Sequence, residues 1–504
     1  MKRRGRIGKG TGTLLLALFL LAAGFLAQAG AQSAGGVTGD VTGLTSFTLD
    51  NGLELFVLEN HTVPLARIQI TFRTGAMSQS PQTAGLFHLY EHMMFKGNAA
   101  HPTQTDLQAA MKDLGVANWN GGTSEESVSY YFSVPSDKAA QGIQFWADAV
   151  RTPLLNPGEL DTEKDVVVNE ILGYLSDPDN IYSSAVDKAM FSQYPWRKDV
   201  SGSEALVRAA TVPVLQGIKD TWYVPNNAAL FVGGDVDPAA VRAAVQKSFG
   251  DWKKAKDPWS PPPPPHPAPA KDVLLVYPDE AMYQGVMSVD LEYRGPDVTT
   301  DPSSTYAADV LGGLVEDPNG SFKADIFSKV PGMYKKEYQS AAYATLRDGG
   351  YIYYSTYLLA APNQDTFARV AALKKVYEAE MQAVATKPDY FSQADFDVLK
   401  RRLADAVIFE RETANGFINE LSGWWSSAGT AYYLGYRDSL LKVTKPQIAK
   451  FVTDFILAHP SVLAIRMNPA DYAREKAAAE KAGWTVISAD NAYWWKAPAA
   501  GGTK

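Results

Sequence analysis

The residues of this chain best placed to do chemistry are the run His88-Leu89-Tyr90-Glu91-His92. On a helix, side chains four apart leave from one face a turn apart, so His88 and His92 converge. Neutral imidazoles at that spacing can take two corners of a tetrahedral zinc ion. Glu91 falls on nearly the same side and can take a proton from a water that such a metal activates. The chemistry implied is metal-assisted hydrolysis. Two imidazoles alone make a poor site, so a third ligand must come from elsewhere. With no cysteine in the 504 residues, that ligand is a histidine or a carboxylate, and disulfides and thiolate catalysis are excluded together.

The elements that must position these groups follow from periodicity. Segment 82–97 reads as a helix, entered through Ser78-Gln79-Ser80-Pro81 and stopped at Gly97. Ahead of it lie a hairpin over 47–58, turned at Asp50-Asn51-Gly52, and an alternating strand with Ala66, Ile68, Ile70 and Phe72 on one face. Behind it come a helix over 104–114, the glycine-rich run 117–123, a strand over 128–134 and a helix over 137–150. Segment 158–176 carries Glu159, Glu163 and Glu170. Residues 228–233 read as a buried strand, and Asp237-Pro238 opens a helix with an N-cap and a proline at its first position.

The stretch 258–271, with Pro261 to Pro265 and Pro267, reads as an extended, semi-rigid spacer between domains. Beyond it the pattern repeats weakly. Strands over 273–277 and 286–293 precede a helix over 303–314, and a strand over 462–465 precedes a helix from Pro469. The repeated helix has no histidine, so only the first half can hold the metal. The expected division is 45–257, metal-bearing, then the spacer 258–271, then a homologous 272–498 without a metal site.

The N-terminus reads as a signal peptide over residues 1–31. Lys2, Arg3, Arg4, Arg6 and Lys9 precede an apolar run from Leu14 to Leu26, followed by Ala27-Gln28-Ala29 and Ala29-Gly30-Ala31 as cleavage sites. About 13 apolar residues are short for a bilayer span, so no membrane anchor is expected once the segment is removed. The expected location is the periplasm or outside the cell. Removal takes five of 47 basic residues and no acidic ones, leaving 42 against 55. That acidic balance argues against nucleic acid as a partner.

With Glu170 following the motif in Asp165-Val166-Val167-Val168-Asn169-Glu170, the chain resembles the pitrilysin/insulinase family of inverted-motif zinc peptidases. Gly85-Leu86, Phe95-Lys96-Gly97, Tyr130-Tyr131 and Val134-Pro135 extend the likeness, and the size and duplicated layout resemble short bacterial members and mitochondrial processing peptidase subunits. The resemblance implies an α+β fold of two homologous α/β-roll domains facing each other across a cavity. It implies one zinc per chain on His88, His92 and Glu170, with Glu91 as general base and Glu163 supporting the catalytic site. It implies an exported metalloendopeptidase acting on extended peptides or small unfolded proteins. The alternative is a non-catalytic peptide-binding or assembly subunit on the same fold.

Segment 118–123 resembles the family's edge strand, which holds substrate by main-chain pairing, so Asn118, Asn120 and Thr123 are implied substrate contacts. Tyr334 matches the tyrosine of a substrate-clamping Arg/Tyr pair, but Phe327 stands where the arginine is expected. Arg347 and Tyr354 repeat the spacing but flank the turn Asp348-Gly349-Gly350, and the match reads as coincidence. A homologous partner subunit carrying the missing arginine is therefore expected, in a heterodimer, with a homodimer as the alternative.

Overall fold

The structure is a computed structural model that describes residues 41–359, 365–410 and 412–496. The expected signal peptide, residues 1–31, lies outside the described residues, as do positions 497 and 498 of the expected second domain.

The first half opens with β1 (Leu44–Thr48), β2 (Glu54–Glu59) and β3 (Leu65–Phe72). Helices α1 (Leu86–Met93) and α2 (Gln104–Asp113) lead to β4 (Trp119–Thr123) and β5 (Val128–Pro135). Then come α3 (Ala139–Arg151), α4 (Pro157–Ser176), α5 (Pro178–Met190), α6 (Glu204–Ala209) and α7 (Val212–Trp222), closed by β6 (Ala228–Gly234) and α8 (Pro238–Phe249). The second half begins with β7 (Val273–Pro278), β8 (Val286–Arg294), α9 (Pro302–Glu316) and α10 (Ser321–Lys329). It continues through β9 (Ser340–Ala344), β10 (Tyr351–Leu359), α11 (Thr366–Thr386), α12 (Gln393–Glu410) and α13 (Ala414–Ser427). Strands β11 (Ser461–Met467) and β12 (Thr485–Val486) complete it.

Each half forms a six-stranded sheet, in the orders β1-β2-β6-β3-β5-β4 and β12-β7-β11-β8-β10-β9. From the second position onward the two orders correspond strand for strand. Over those five strands each has one parallel pair, β2 with β6 and β7 with β11, and is antiparallel from there to β4 or β9. The outermost strands differ: β1 runs antiparallel to β2, whereas β12 arrives from the chain's far end and runs parallel to β7. The strands form because side chains alternate. In β5, Val128, Tyr130, Phe132 and Val134 are buried while their neighbours are half-exposed, the pattern of a sheet with one face on a core.

The halves are not packed independently, because each lends a helix to the other's sheet. Ile181, Tyr182, Ala185 and Val186 of α5 cluster with Leu275, Tyr277, Val462 and Ala464 of the second sheet. The Tyr182 hydroxyl donates to Asp290 Oδ2 at 2.5 Å. In return, α13 packs on β3 and β6, placing Ile418, Leu421 and Trp425 in one cluster with Phe56 and Phe231. Each valine, leucine, isoleucine or phenylalanine side chain so removed from water contributes roughly 1.5–3 kcal/mol. The spacer is also tied down: Arg197 Nη1 donates to the Pro264 carbonyl at 2.6 Å, and the His266 backbone N–H donates to Asp348 Oδ1 at 2.9 Å.

Candidate active site

Helix α1 begins at Gly85, whose φ of 83° is left-handed. Its N–H donates to Gln79 Oε1 at 2.7 Å, while Gln79 Nε2 donates to the carbonyls of Trp196 and Asp199 at 2.7 and 2.8 Å. That fixes where the helix starts. The helix is shorter than the expected 82–97 because left-handed Gly85 sets its start and, past Met94, the Phe95 and Lys96 N–H groups bond three residues back, to the His92 and Met93 carbonyls at 3.2 Å. Its apolar residues Leu86, Phe87, Leu89, Tyr90 and Met93 face the core, leaving His88 and His92 half-buried on another stripe beside Glu91.

The third group comes from the middle of α4, which starts at the N-cap Asn156 with Pro157 next to it. Glu170 Oε2 lies 3.6 Å from His88 Nε2 and 3.7 Å from His92 Nε2, and the two imidazole nitrogens are 3.3 Å apart. Ligand atoms 2.0–2.2 Å from a common tetrahedral centre stand roughly 3.3–3.6 Å from one another. The donor set therefore fits a zinc ion without rearrangement. Among the described residues this is the one such group of three or more.

A second layer fixes the first. Glu163, two turns before Glu170 on α4, is buried, and its Oε2 accepts from His92 Nδ1 at 3.0 Å. Its other oxygen pairs with Lys96 Nζ at 2.5 Å. With its Nδ1–H committed to Glu163, His92 presents the Nε2 lone pair to the metal position. Burial works against the charged forms of both partners. The Glu163 bond and the nearby carboxylates nevertheless raise the pKa of His92, and the His92 and Lys96 bonds lower that of Glu163. Burial, with His92 beside it, pushes His88 down to about 4, so its imidazole is neutral at physiological pH.

Glu91 is buried, and its Oε2 accepts from Thr123 Oγ1 at 2.7 Å. Burial pushes its carboxyl up, and the Thr123 bond and His92 offset only part of that. Strand β4 is the edge of its sheet, with Asn120 exposed on it and Asn118, also exposed, just before it. Tyr334 belongs to another neighbourhood, an exposed aromatic cluster of the second half, stacked on Tyr338 at 5.6 Å with its N–H donating to the Tyr357 carbonyl at 2.8 Å. Phe327 is exposed on α10, and nearby Lys329 is engaged by Glu380. Tyr354 is a core residue bonded to Gln339 and Arg347 lies over the Trp259 ring, so their spacing is structural. Sequence reasoning missed Lys96 as partner of Glu163 and Thr123 as partner of Glu91. A cation four residues after His92 was the available signal for the first.

The family described as insulinase (peptidase family M16) matches residues 55–204, and the M16 inactive domain matches 209–403, together well over half of the chain. The chain belongs to the M16 insulinase/pitrilysin family. The metal group lies in the first matched segment and Tyr334 in the second. The uncharacterized zinc protease YmxG of Bacillus subtilis is 26% identical over 207 residues, 41% of this chain and 50% of the relative. A probable mitochondrial-processing peptidase subunit beta of Arabidopsis thaliana is 26% identical over 211 residues, 42% of this chain and 39% of the relative. The chain thus spans about half the length of the curated relatives it matches, or less. In fold it is similar to a protease from Helicobacter pylori, with TM-score 0.66, 18% identity, and coverage of 84% of this chain and 98% of the other. The first half of the periplasmic protease PqqL from Escherichia coli gives TM-score 0.68 at 18% identity, covering 86% and 94%. No helix among the described residues is long and apolar enough to cross a membrane.

Proposed function

We propose that this M16 chain is a zinc-dependent endopeptidase, exported to the periplasm, that cleaves extended peptides or small unfolded proteins. The observation that carries the reading is the meeting of His88, His92 and Glu170 at tetrahedral spacing with a buried carboxylate, Glu91, beside them. Zinc, when bound, supplies the Lewis acidity that activates water and polarises the scissile carbonyl. His88, His92 and Glu170 would hold it, the three-ligand set that a catalytic rather than a closed structural zinc site uses. Glu91 takes the proton of the attacking water and delivers it to the leaving amine. Glu163 acts through His92, holding its ring and tautomer. The free edge of β4 takes the peptide as an added strand, with Asn118 and Asn120 along it. Export is supported by the basic, apolar and small-residue succession of residues 2–31.

The same reading makes this chain the metal-bearing member of a heterodimer with a homologous subunit. Phe327 and the occupied Lys329 offer no guanidinium for a substrate carbonyl, and Tyr334 would act with an arginine from the partner. The function is tested with a quenched extended peptide. Glu91→Gln retains one zinc per chain and loses turnover by about 100-fold or more. Wild-type rates in that variant would refute the assigned chemistry, and a zinc-loaded wild type inert with or without a partner would favour an assembly role.

A further inference from the structure

Strand β4 meets Glu91 at two points. Thr123 Oγ1 donates to Glu91 Oε2 at 2.7 Å. Two residues earlier, on the same face of the strand, a Cβ on Gly121 would stand 3.0 Å from Glu91 Oε1 and 2.9 Å from the Phe95 ring. One carboxylate oxygen is bonded to Thr123, and the other lies where a side chain at position 121 would crowd it, so the bare glycine leaves it room to take a proton.

The turn that follows Thr123 is fixed from several sides. The carbonyls of Ser124 and Glu125 accept from the N–H groups of Ala76 and Met77 at 3.1 and 2.9 Å. Lys198 Nζ donates to Glu125 Oε2 at 2.6 Å, and the buried Glu126 accepts the backbone N–H of Arg347 at 2.5 Å. Arg347 lies in the β9–β10 turn, so the second half of the molecule holds the turn that holds Thr123. A glutamate side chain has several rotamers to lose on being ordered, and a hydroxyl on so rigid a support selects one of them.

We propose that Thr123 is a positioning residue for the general base: its hydroxyl fixes the Glu91 carboxylate beside the metal group, so the strand that takes the peptide at its free edge also aims the base. The inference rests on the peptidase reading and moves Thr123 from substrate contact to support of Glu91.

Three proteins test it: wild type, Thr123→Val, which keeps the shape and removes the hydroxyl, and Thr123→Ser, which keeps the hydroxyl. For Thr123→Val, kcat falls roughly 10- to 100-fold, the worth of a hydrogen bond to a charged group, with KM within about twofold. Zinc content stays at one per chain in all three, and Thr123→Ser recovers most of kcat. In a Glu91→Gln background, Thr123→Val lowers the residual rate no further, because its effect passes through Glu91. A raised KM with kcat preserved would make Thr123 a peptide contact only and overturn the proposal. So would a Thr123→Ser protein as slow as Thr123→Val, or loss of zinc in either. A wild type that binds zinc but cleaves nothing ends the peptidase reading itself, a result separate from any pattern among the variants.

Discussion

Glu163 offers a perturbation whose size follows from its two contacts. It is 4% exposed and accepts from His92 Nδ1 at 3.0 Å and from Lys96 Nζ at 2.5 Å. Loss of a carboxylate behind a metal-binding histidine lowers metal affinity about 10- to 100-fold, or roughly 1.4–2.7 kcal/mol. Glu163→Gln keeps an oxygen for His92 and removes only the charge, so it falls at the low end. Glu163→Ala also removes the bond and falls at the high end. Stability changes separately, because Lys96 is left without its counter-charge. A fully buried, unpaired charge costs about 3–5 kcal/mol. The Lys96 side chain is 13% exposed and keeps Gln104 Oε1 at 3.0 Å, which brings the figure nearer to about 2 kcal/mol. Zinc affinity is read by competition with a chromogenic chelator, and stability by thermal melting of the metal-free protein. Adding Lys96→Met to Glu163→Gln restores Tm and leaves zinc affinity low. Wild-type affinity in Glu163→Ala, or affinity restored by Lys96→Met, would refute the argument that Glu163 serves the metal through His92.

Two further expectations come from the frame around the site. Gly85→Ala puts a Cβ at a left-handed φ and into the Ser201 carbonyl, so Tm falls by an amount equivalent to about 2 kcal/mol or more and zinc affinity falls with it; an unchanged melt and affinity contradict this. Burial holds the Glu126 carboxyl at about 8, well above its ordinary value of 4.5. Its contribution to stability is therefore complete below the unfolded value and is lost as pH rises through about 8. Glu126→Gln keeps an acceptor for the Arg347 N–H and flattens the fall of Tm between pH 5 and pH 9, and superimposable pH curves for the two proteins would count against it.

What could be read beforehand was local. The spacing of His88, Glu91 and His92 fixes three side chains on one helix stripe, and the seven residues between Glu163 and Glu170 put both on one stripe of α4. Alternation placed β3 and β5, and the weak repeat foreshadowed the matching strand orders. The exchange of α5 and α13 was not legible, because an apolar stripe shows that a face is buried but not against which sheet. Helices α5 to α7 went unread, although Asp177-Pro178 opens α5 with the same N-cap and proline signal as Asp237-Pro238. Thr123 could be placed on an edge strand, but its bond to Glu91 spans 32 residues and depends on how the turn behind it is held. The polyproline run announced a spacer, and only the structure shows the Pro264 carbonyl engaged by Arg197 and the His266 N–H by Asp348.

The proposed catalytic centre is one zinc held by His88, His92 and Glu170. The most direct measurement is a titration of chelator-stripped protein with zinc, following hydrolysis of a quenched extended peptide, with the homologous partner present if the isolated chain is slow. Activity should rise in proportion to zinc and level off at one equivalent per chain. His88→Ala and Glu170→Gln proteins should show neither tight binding nor the rise. Activity that ignores zinc, that requires a second equivalent, or that survives in His88→Ala would contradict the account.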